Sequence, residues 1–157
     1  MEIRKAFDKD VFNLFDLLFT VQALHANGRP DVFKVGATKY SHQEIKDIVN
    51  GENTPVYVLV DQEDCAVGYA FCSLLEEKET ENLYAKRTLY IDDLCVKEDL
   101  RGKGYGKKLY DYVLLRAKEF SCDRVTLNVW HLNQSALRFY EKLGMKPLKT
   151  TMETLIK

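Results

Sequence analysis

The sequence predicts a single α/β domain in which a mixed, mostly antiparallel central sheet is flanked by about four helices. The 157 residues fit one domain, and no repeat, low-complexity segment or Pro/Gly/Ser-rich linker divides the chain, so the domain is expected to cover 1–157. Apolar residues recur with a helical period in some segments and with a period of two in others. The resulting order, β-α-α-β-β-β-α-β-α-β, is typical of a sheet with helices on its faces.

The first half of the chain predicts an edge strand followed by two helices. Residues 2–7 form a short segment of alternating character, which indicates an edge strand. From residue 11 the apolar residues recur at helical spacing until an Asn-Gly pair and a proline end the pattern near residue 28. Ser41 and Glu44 are spaced as a capping box, which predicts the start of a short helix that continues to about residue 50.

A change to period two predicts three consecutive strands. Residues 55–60 are a continuous apolar run, as expected for a strand covered on both faces. The segments 65–75 and 84–96 follow, with an acidic loop at 76–82 between them. Short connections join the three segments, so they are expected to form an antiparallel meander.

The last third predicts two more helices and two more strands. The helices are expected at 104–120 and at 133–143, where Gly144 supplies the end of the second helix. A strand is expected between them at 124–130. Residues 147–156 alternate again and predict a final strand.

Composition and charge exclude several classes of protein. A hydrophobic fraction of 46% and a charged fraction of 30% are typical of an ordinary globular protein and not of a disordered one. The formal net charge of −1 gives no long-range reason to bind nucleic acid or an anionic membrane. Residues 11–24, the longest apolar-rich run, are interrupted by polar side chains and do not predict a membrane span. The sequence shows no secretory signal, so we expect a cytoplasmic protein.

The cysteines and histidines do not form a cluster. The four cysteines contain no C-x-x-C pair, and the three histidines are spread along the chain. A zinc site needs clustered ligands, so no metal is expected. Disulfides are not expected either, because a chain of this length builds a core without them.

The most informative segment is a glycine-rich turn that leads from a strand into a helix. Gly102, Gly104 and Gly106 lie among basic residues at the predicted start of the helix. The N–H groups at a helix start bind anions, and glycines let a phosphate approach the backbone closely. The spacing does not fit the G-x-G-x-x-G fingerprint, because Lys107 stands where the third glycine should be. It does not fit a P-loop either, so a nucleotide-binding protein is a weaker alternative. A glycine-rich turn with a solvated basic helix start is another.

Two motifs resemble those of the GNAT family of N-acetyltransferases. The pattern Arg101-x-x-Gly104-x-Gly106, directly after a strand, resembles the acetyl-CoA loop of that family. The pattern Asn133-x-x-Ala-x-x-Phe-Tyr140-x-x-x-Gly resembles its later motif. The order of the elements resembles the family fold over essentially the whole chain.

The resemblance implies an enzyme that uses acetyl-CoA as co-substrate and no metal. The amine of a small molecule or a protein would attack the thioester directly. The alternative is a non-catalytic acyl-CoA-binding regulatory module on the same fold. A homodimer and a monomer both remain open. The residues that the resemblance and the anion-binding turn assign to the cofactor are Leu94, Cys95, Val96, Arg101, Gly102, Lys103, Gly104, Tyr105, Gly106, Lys107 and Asn133.

Tyr140 and two aspartates are the candidate catalytic residues. Helix periodicity alone makes Tyr140 a boundary aromatic and Asn133 a helix cap, whereas the resemblance implies that Tyr140 is the general acid for the leaving thiolate. An alkylammonium has a pKa near ~10.4, so a base is also needed. Asp92 and Asp93 are the candidates, with a structural role as the alternative. Alternation along the strand predicts that they point to opposite faces. The expected neighbours are Leu89, Ile91 and Cys95 for Asp93, and Tyr90, Leu94 and Val96 for Asp92.

Three further positions bear on the chemistry. Asn128 departs from a branch of the family that carries a glutamate there, and an asparagine cannot act as a base. His131 is a rival base by residue type, although a lone histidine after a strand is more often structural. Cys95 is interpreted as a small buried residue, because direct transfer needs no acyl-enzyme.

The acceptor is little constrained by the sequence. The resemblance implies that the early helices and the hairpin loop shape its side of the site. The four glutamates in residues 76–81 would attract a cationic amine, or they form a solvated hairpin tip. The other polar and aromatic residues expected on that side are His25, Arg29, Asp31, Phe33 and Lys34.

Overall fold

The computed structural model describes residues 1–156, in which helices and strands follow one another in the predicted order except for the last predicted strand. The bounds of the elements are β1 Glu2–Lys5, α1 Val11–Gly28, α2 His42–Asn50, β2 Val56–Val60, β3 Ala66–Glu77, β4 Lys86–Val96, α3 Tyr105–Glu119, β5 Arg124–Leu127 and α4 Gln134–Lys142. Short 3-10 turns precede α1 and follow β4. The described helices include none that is long and apolar enough to cross a membrane.

The sheet has the spatial order β1-β2-β3-β4-β5. Neighbours from β1 to β4 are antiparallel, and β4 pairs with β5 in parallel. The meander of β2, β3 and β4 and the edge position of β1 are therefore confirmed. Parallel neighbours need a crossover, and α3 provides it between β4 and β5.

Helices cover both faces of the sheet. On one face, Leu14 and Leu18 of α1 and Ile45 of α2 are buried against β2 and β3. On the other face, Val113 of α3 packs with Leu89 in β4. Every residue of β2 is buried, which explains its continuous apolar run.

Local capping signals act as predicted. The Ser41 hydroxyl accepts a hydrogen bond from the Glu44 N–H at 3.2 Å, and the Glu44 carboxylate accepts one from the Ser41 N–H at 2.7 Å. Gly144 has a φ of +90°, the left-handed conformation that favours glycine after a helix. Both boundaries are thus determined by residues within one turn of the helix end.

The end of the chain departs from the prediction. The strand expected at 124–130 stops at Leu127, and residues 145–156 contain no strand. The apolar side chains of this tail, among them Met152 and Ile156, stay exposed. Alternation alone does not make a strand, because the segment also needs an edge to pair with and a face to bury. In the structure these residues pair with no strand, and the sheet ends at β5.

Candidate active site

A cleft opens where β4 and β5 separate. Their pairing ends at Ile91 and Leu127, but β4 continues to Val96. The cleft has a volume of about 250 Å³. It lies between α1, the divergent ends of the two strands and α4. The two aspartates, Asn133 and Tyr140 all line it.

A β-bulge brings both aspartates to this cleft, which corrects the prediction of opposite faces. In the pairing of β3 with β4, Phe71 is opposite Asp93 and Cys72 is opposite Ile91, so Asp92 is an extra residue. An extra residue breaks the alternation of side chains. Asp93 therefore shares a face with Cys95 but not with Ile91, which packs on the α3 side.

The two carboxylates have different surroundings. The Asp92 carboxylate accepts hydrogen bonds from the Lys39 ammonium and the Tyr40 hydroxyl, both at 2.8 Å. Asp93 accepts one from the Tyr69 hydroxyl at 3.2 Å. Burial raises the pKa of Asp93 above its ordinary value, and the charge of Lys39 and the Tyr69 hydrogen bond offset only part of that rise. A carboxylate with a raised pKa is a stronger proton acceptor than an ordinary aspartate.

Tyr140 projects from α4 into the same cleft. Its ring packs against Phe139 at 5.0 Å and Tyr110 at 6.3 Å between centroids. Burial, and secondarily the negative charge of Asp93, raises the pKa of Tyr140 above its ordinary value. The hydroxyl is therefore protonated at neutral pH, and it is a weaker acid than an ordinary tyrosine hydroxyl.

The glycine-rich turn forms an open helix start. Gly102 and Gly104 have φ angles of +75° and +85°, and no atom lies within 4 Å of a Cβ built on either. The first backbone hydrogen bond of α3 runs from the Lys108 N–H to the Gly104 carbonyl at 3.1 Å, so the N–H groups of 105–107 precede it. Arg101 Nε donates to the Val96 carbonyl at 3.0 Å and ties the turn to β4. This geometry suits an anion held by backbone donors.

Gly106 and Asn133, which belong to the two motifs, also have structural roles. A Cβ on Gly106 would lie 3.2 Å from Phe139, so this glycine lets α3 approach α4 closely. Asn133 caps α4 by accepting a hydrogen bond from the Ala136 N–H at 3.1 Å. The cap uses only the side-chain oxygen of Asn133, so its amide nitrogen is compatible with a ligand contact.

Aromatic side chains form the outer wall of the cleft on the α1 side. Phe33 stacks on His25 at 5.2 Å and meets Trp130 edge-on at 5.3 Å between ring centroids. All three line the cleft. By contrast, Glu76 pairs with Arg87, and none of residues 76–81 lines the cleft. The acidic loop therefore lies at the other end of the hairpin, as a solvated tip.

The sequence analysis missed the three residues that hydrogen-bond the aspartates, Lys39, Tyr40 and Tyr69, and it missed Trp130 in the wall of the cleft. Tyr69 is fully buried in β3, and a tyrosine inside an apolar strand is a weak signal that its hydroxyl has a partner. Lys39 and Tyr40 precede α2 in a segment without periodicity, so the sequence offers no signal for them. The two other candidates differ in position. Asn128 lines the cleft and donates to the Tyr90 hydroxyl at 3.2 Å, whereas His131 does not line it.

No three His, Cys, Asp or Glu side chains among residues 1–156 come together as a metal site.

The chain is similar to several known proteins. Residues 20–145 match the model of the acetyltransferase (GNAT) family. The chain is 28% identical over 127 residues to a thialysine N-epsilon-acetyltransferase of Bos taurus, across 81% of this chain and 65% of the relative. It is 30% identical over 105 residues to a peptidyl-lysine N-acetyltransferase of Escherichia coli, across 66% of this chain and 58% of the relative. The crystal structure of a mutant Bacillus halodurans protein matches with a TM-score of 0.96 at 30% identity, over 100% of both chains. The chain thus spans about 65% or less of the length of these two curated relatives.

Proposed function

The chain belongs to the acetyltransferase (GNAT) family, and from this premise we propose that it transfers the acetyl group of acetyl-CoA to a primary amine. The observation that carries the proposal is the cleft between β4 and β5, which joins a carboxylate of raised pKa, Asp93, to the protonated hydroxyl of Tyr140. The names of the relatives, which act on thialysine and on peptidyl-lysine, support an amine acceptor. A cytoplasmic location stays a prediction from the sequence.

The residues around the cleft fit acetyl-CoA. The open backbone of the glycine-rich turn, Arg101 to Lys107, would hold the pyrophosphate. The edge of β4 from Leu94 to Val96, which β5 does not pair, would hydrogen-bond the amide arm as an added half-strand. Asn133 would add a contact from α4. The co-substrate supplies an activated thioester carbonyl for direct attack by the amine.

Two side chains carry the proton transfers in this proposal. Asp93 accepts the proton of the acceptor ammonium, which must become a neutral amine before it attacks. Tyr140 donates a proton to the departing thiolate, and the second proton that the attacking nitrogen loses on becoming an amide restores the Tyr140 hydroxyl. The bulge at Asp92 is essential to this division of roles, because it turns Asp93 toward the cleft that Tyr140 lines.

The proposal is tested by a turnover screen of acetyl-CoA against a panel of primary amines. Thiol release should depend on the amine, and mass spectrometry should find the acceptor heavier by one acetyl group. Binding of acetyl-CoA without turnover on any amine would instead support the non-catalytic module.

The glycine-rich turn is tested by Gly104→Val. A branched side chain at this position enters the open space over the turn, so we expect CoA affinity to fall at least about tenfold, or 1.4 kcal/mol. Isothermal titration calorimetry measures it. Gly144→Val is the matched control, because Gly144 has a similar positive φ of +90° and lies outside the turn. Equal affinities in the two folded variants would contradict the assignment.

Cys95 is expected to have no nucleophilic role. Burial raises the pKa of its thiol to about 11, so little reactive thiolate is present at neutral pH. Cys95→Ala should keep its turnover number within about one order of magnitude, the ordinary scale of a packing change near a site. Steady-state kinetics measures this. Isolation of an acetylated Cys95 that forms and decays at the rate of turnover would overturn direct transfer.

A further inference from the structure

One of the two carboxylates in the cleft forms an ion pair with a lysine of the same chain. Lys39, from the segment between α1 and α2, places its ammonium 2.8 Å from Asp92, and the Tyr40 hydroxyl donates to the same carboxylate oxygen at 2.8 Å. The side chains of Lys39 and Asp92 are 33% and 26% exposed. Both line the cleft. The negative charge of Asp92 is therefore already balanced by a cation of the chain itself.

The second carboxylate has a neutral hydrogen-bond partner instead of a cation. Asp93 accepts its hydrogen bond from a neutral group, the Tyr69 hydroxyl. An apolar and aromatic wall borders the acceptor side of the same cleft and consists of Leu18, Val21, Phe33 and Trp130. Among residues 1–156 no side chain forms an ion pair with Asp93, so the cleft offers one carboxylate that is hydrogen-bonded only to a hydroxyl and bordered by apolar surface.

Resting on the proposed function, we propose that Lys39 is a specificity-determining residue that directs the cleft toward acceptors with one amino group on an apolar chain. The Lys39 ammonium takes the place at Asp92 that a second substrate cation would need. A diamine must displace Lys39 or leave its own second charge beside another cation, and like charges in contact disfavour binding. An apolar chain meets no such repulsion and gains contact with Phe33 and Trp130.

The experiment compares two acceptors of equal length, n-pentylamine and 1,4-diaminobutane. They differ only at one end, where n-pentylamine has a methyl group and 1,4-diaminobutane has a second ammonium group. The measured quantity is the ratio of kcat/KM for the diamine to that for the monoamine, at saturating acetyl-CoA and fixed ionic strength. Removal of the Lys39 charge also affects Asp93, but both acceptors depend on Asp93 alike, so the ratio isolates the effect at Asp92.

The wild type should prefer the monoamine, and Lys39→Gln should raise the ratio about tenfold. Lys34→Gln is the matched control, because Lys34 is an exposed lysine in the same segment that does not line the cleft. An unchanged or lowered ratio in Lys39→Gln, with turnover retained, would overturn the role of Lys39 and leave the acetyltransferase proposal intact. Absence of turnover with every amine in all variants would contradict the proposed function and this inference with it.

Discussion

Tyr140→Phe should lower the turnover number by about 10²–10⁴-fold, the contribution typical of general acid catalysis. The substitution removes one hydroxyl and keeps the ring that packs against Phe139 and Tyr110. Acetyl-CoA affinity and the unfolding temperature should therefore stay close to those of the wild type. Any alkaline limb of the pH–rate profile that reports this hydroxyl should also disappear. Steady-state kinetics, calorimetric titration and thermal unfolding on one preparation measure all of these quantities.

Tyr110→Phe is the matched control for this prediction. Tyr110, a buried residue of α3, lies beside Tyr140 in the core, but it does not line the cleft. Its hydroxyl should therefore be dispensable for turnover. If Tyr140→Phe and Tyr110→Phe lose stability alike and keep wild-type turnover per folded molecule, Tyr140 is a boundary aromatic and the acid has to be sought elsewhere.

Asp93→Asn should also reduce the turnover number by about 10²–10⁴-fold, because an amide cannot accept the proton of the acceptor ammonium. Turnover in the wild type should rise with pH as Asp93 ionises, over a range displaced above that of an ordinary aspartate, since the pKa of Asp93 is raised. The variant should lose this ascending limb. Asp92→Asn is the comparison, and its loss should be smaller because Asp92 is paired with Lys39. The reverse order of effects would make Asp92 the base.

The stability of the Asp93 variant separates a catalytic role from a structural one. A carboxyl whose pKa is higher in the folded than in the unfolded chain favours folding at low pH, and this contribution is lost as the pH rises through the raised pKa. Asp93→Asn removes the cost of burying a charge, and its side-chain oxygen still accepts from Tyr69. At neutral pH the variant should therefore unfold at the same temperature as the wild type or a higher one. A clear drop in unfolding temperature would show that Asp93 holds the structure together.

Local chemistry explains which parts of this protein were predictable from its sequence. Ser41 and Glu44 form their capping box, Gly144 ends α4, and the glycine turn opens α3, because each signal acts within about one turn of chain. The periods of the apolar residues were likewise sufficient to predict the helices and the meander, because each period reflects which side of a single element is buried. The motif that contains Tyr140 was predictable as a local pattern on one helix.

Non-local pairing decided the rest. Asp92 is an extra residue only with respect to the pairing of β4 with β3. Alternation along β4 alone therefore predicted the wrong face for one of the two aspartates. The partners Lys39 and Tyr69 come from other parts of the chain. The sequence gives no signal for Lys39, and for Tyr69 it gives only the weak signal of a tyrosine in an apolar strand. The tail at 147–156 has the alternation of a strand but pairs with no strand of the sheet. The sequence by itself thus determined the glycine turn and every element except the last strand, whereas the tertiary structure decided which carboxylates enter the cleft and which groups hydrogen-bond each of them, because those properties depend on residues distant in the chain.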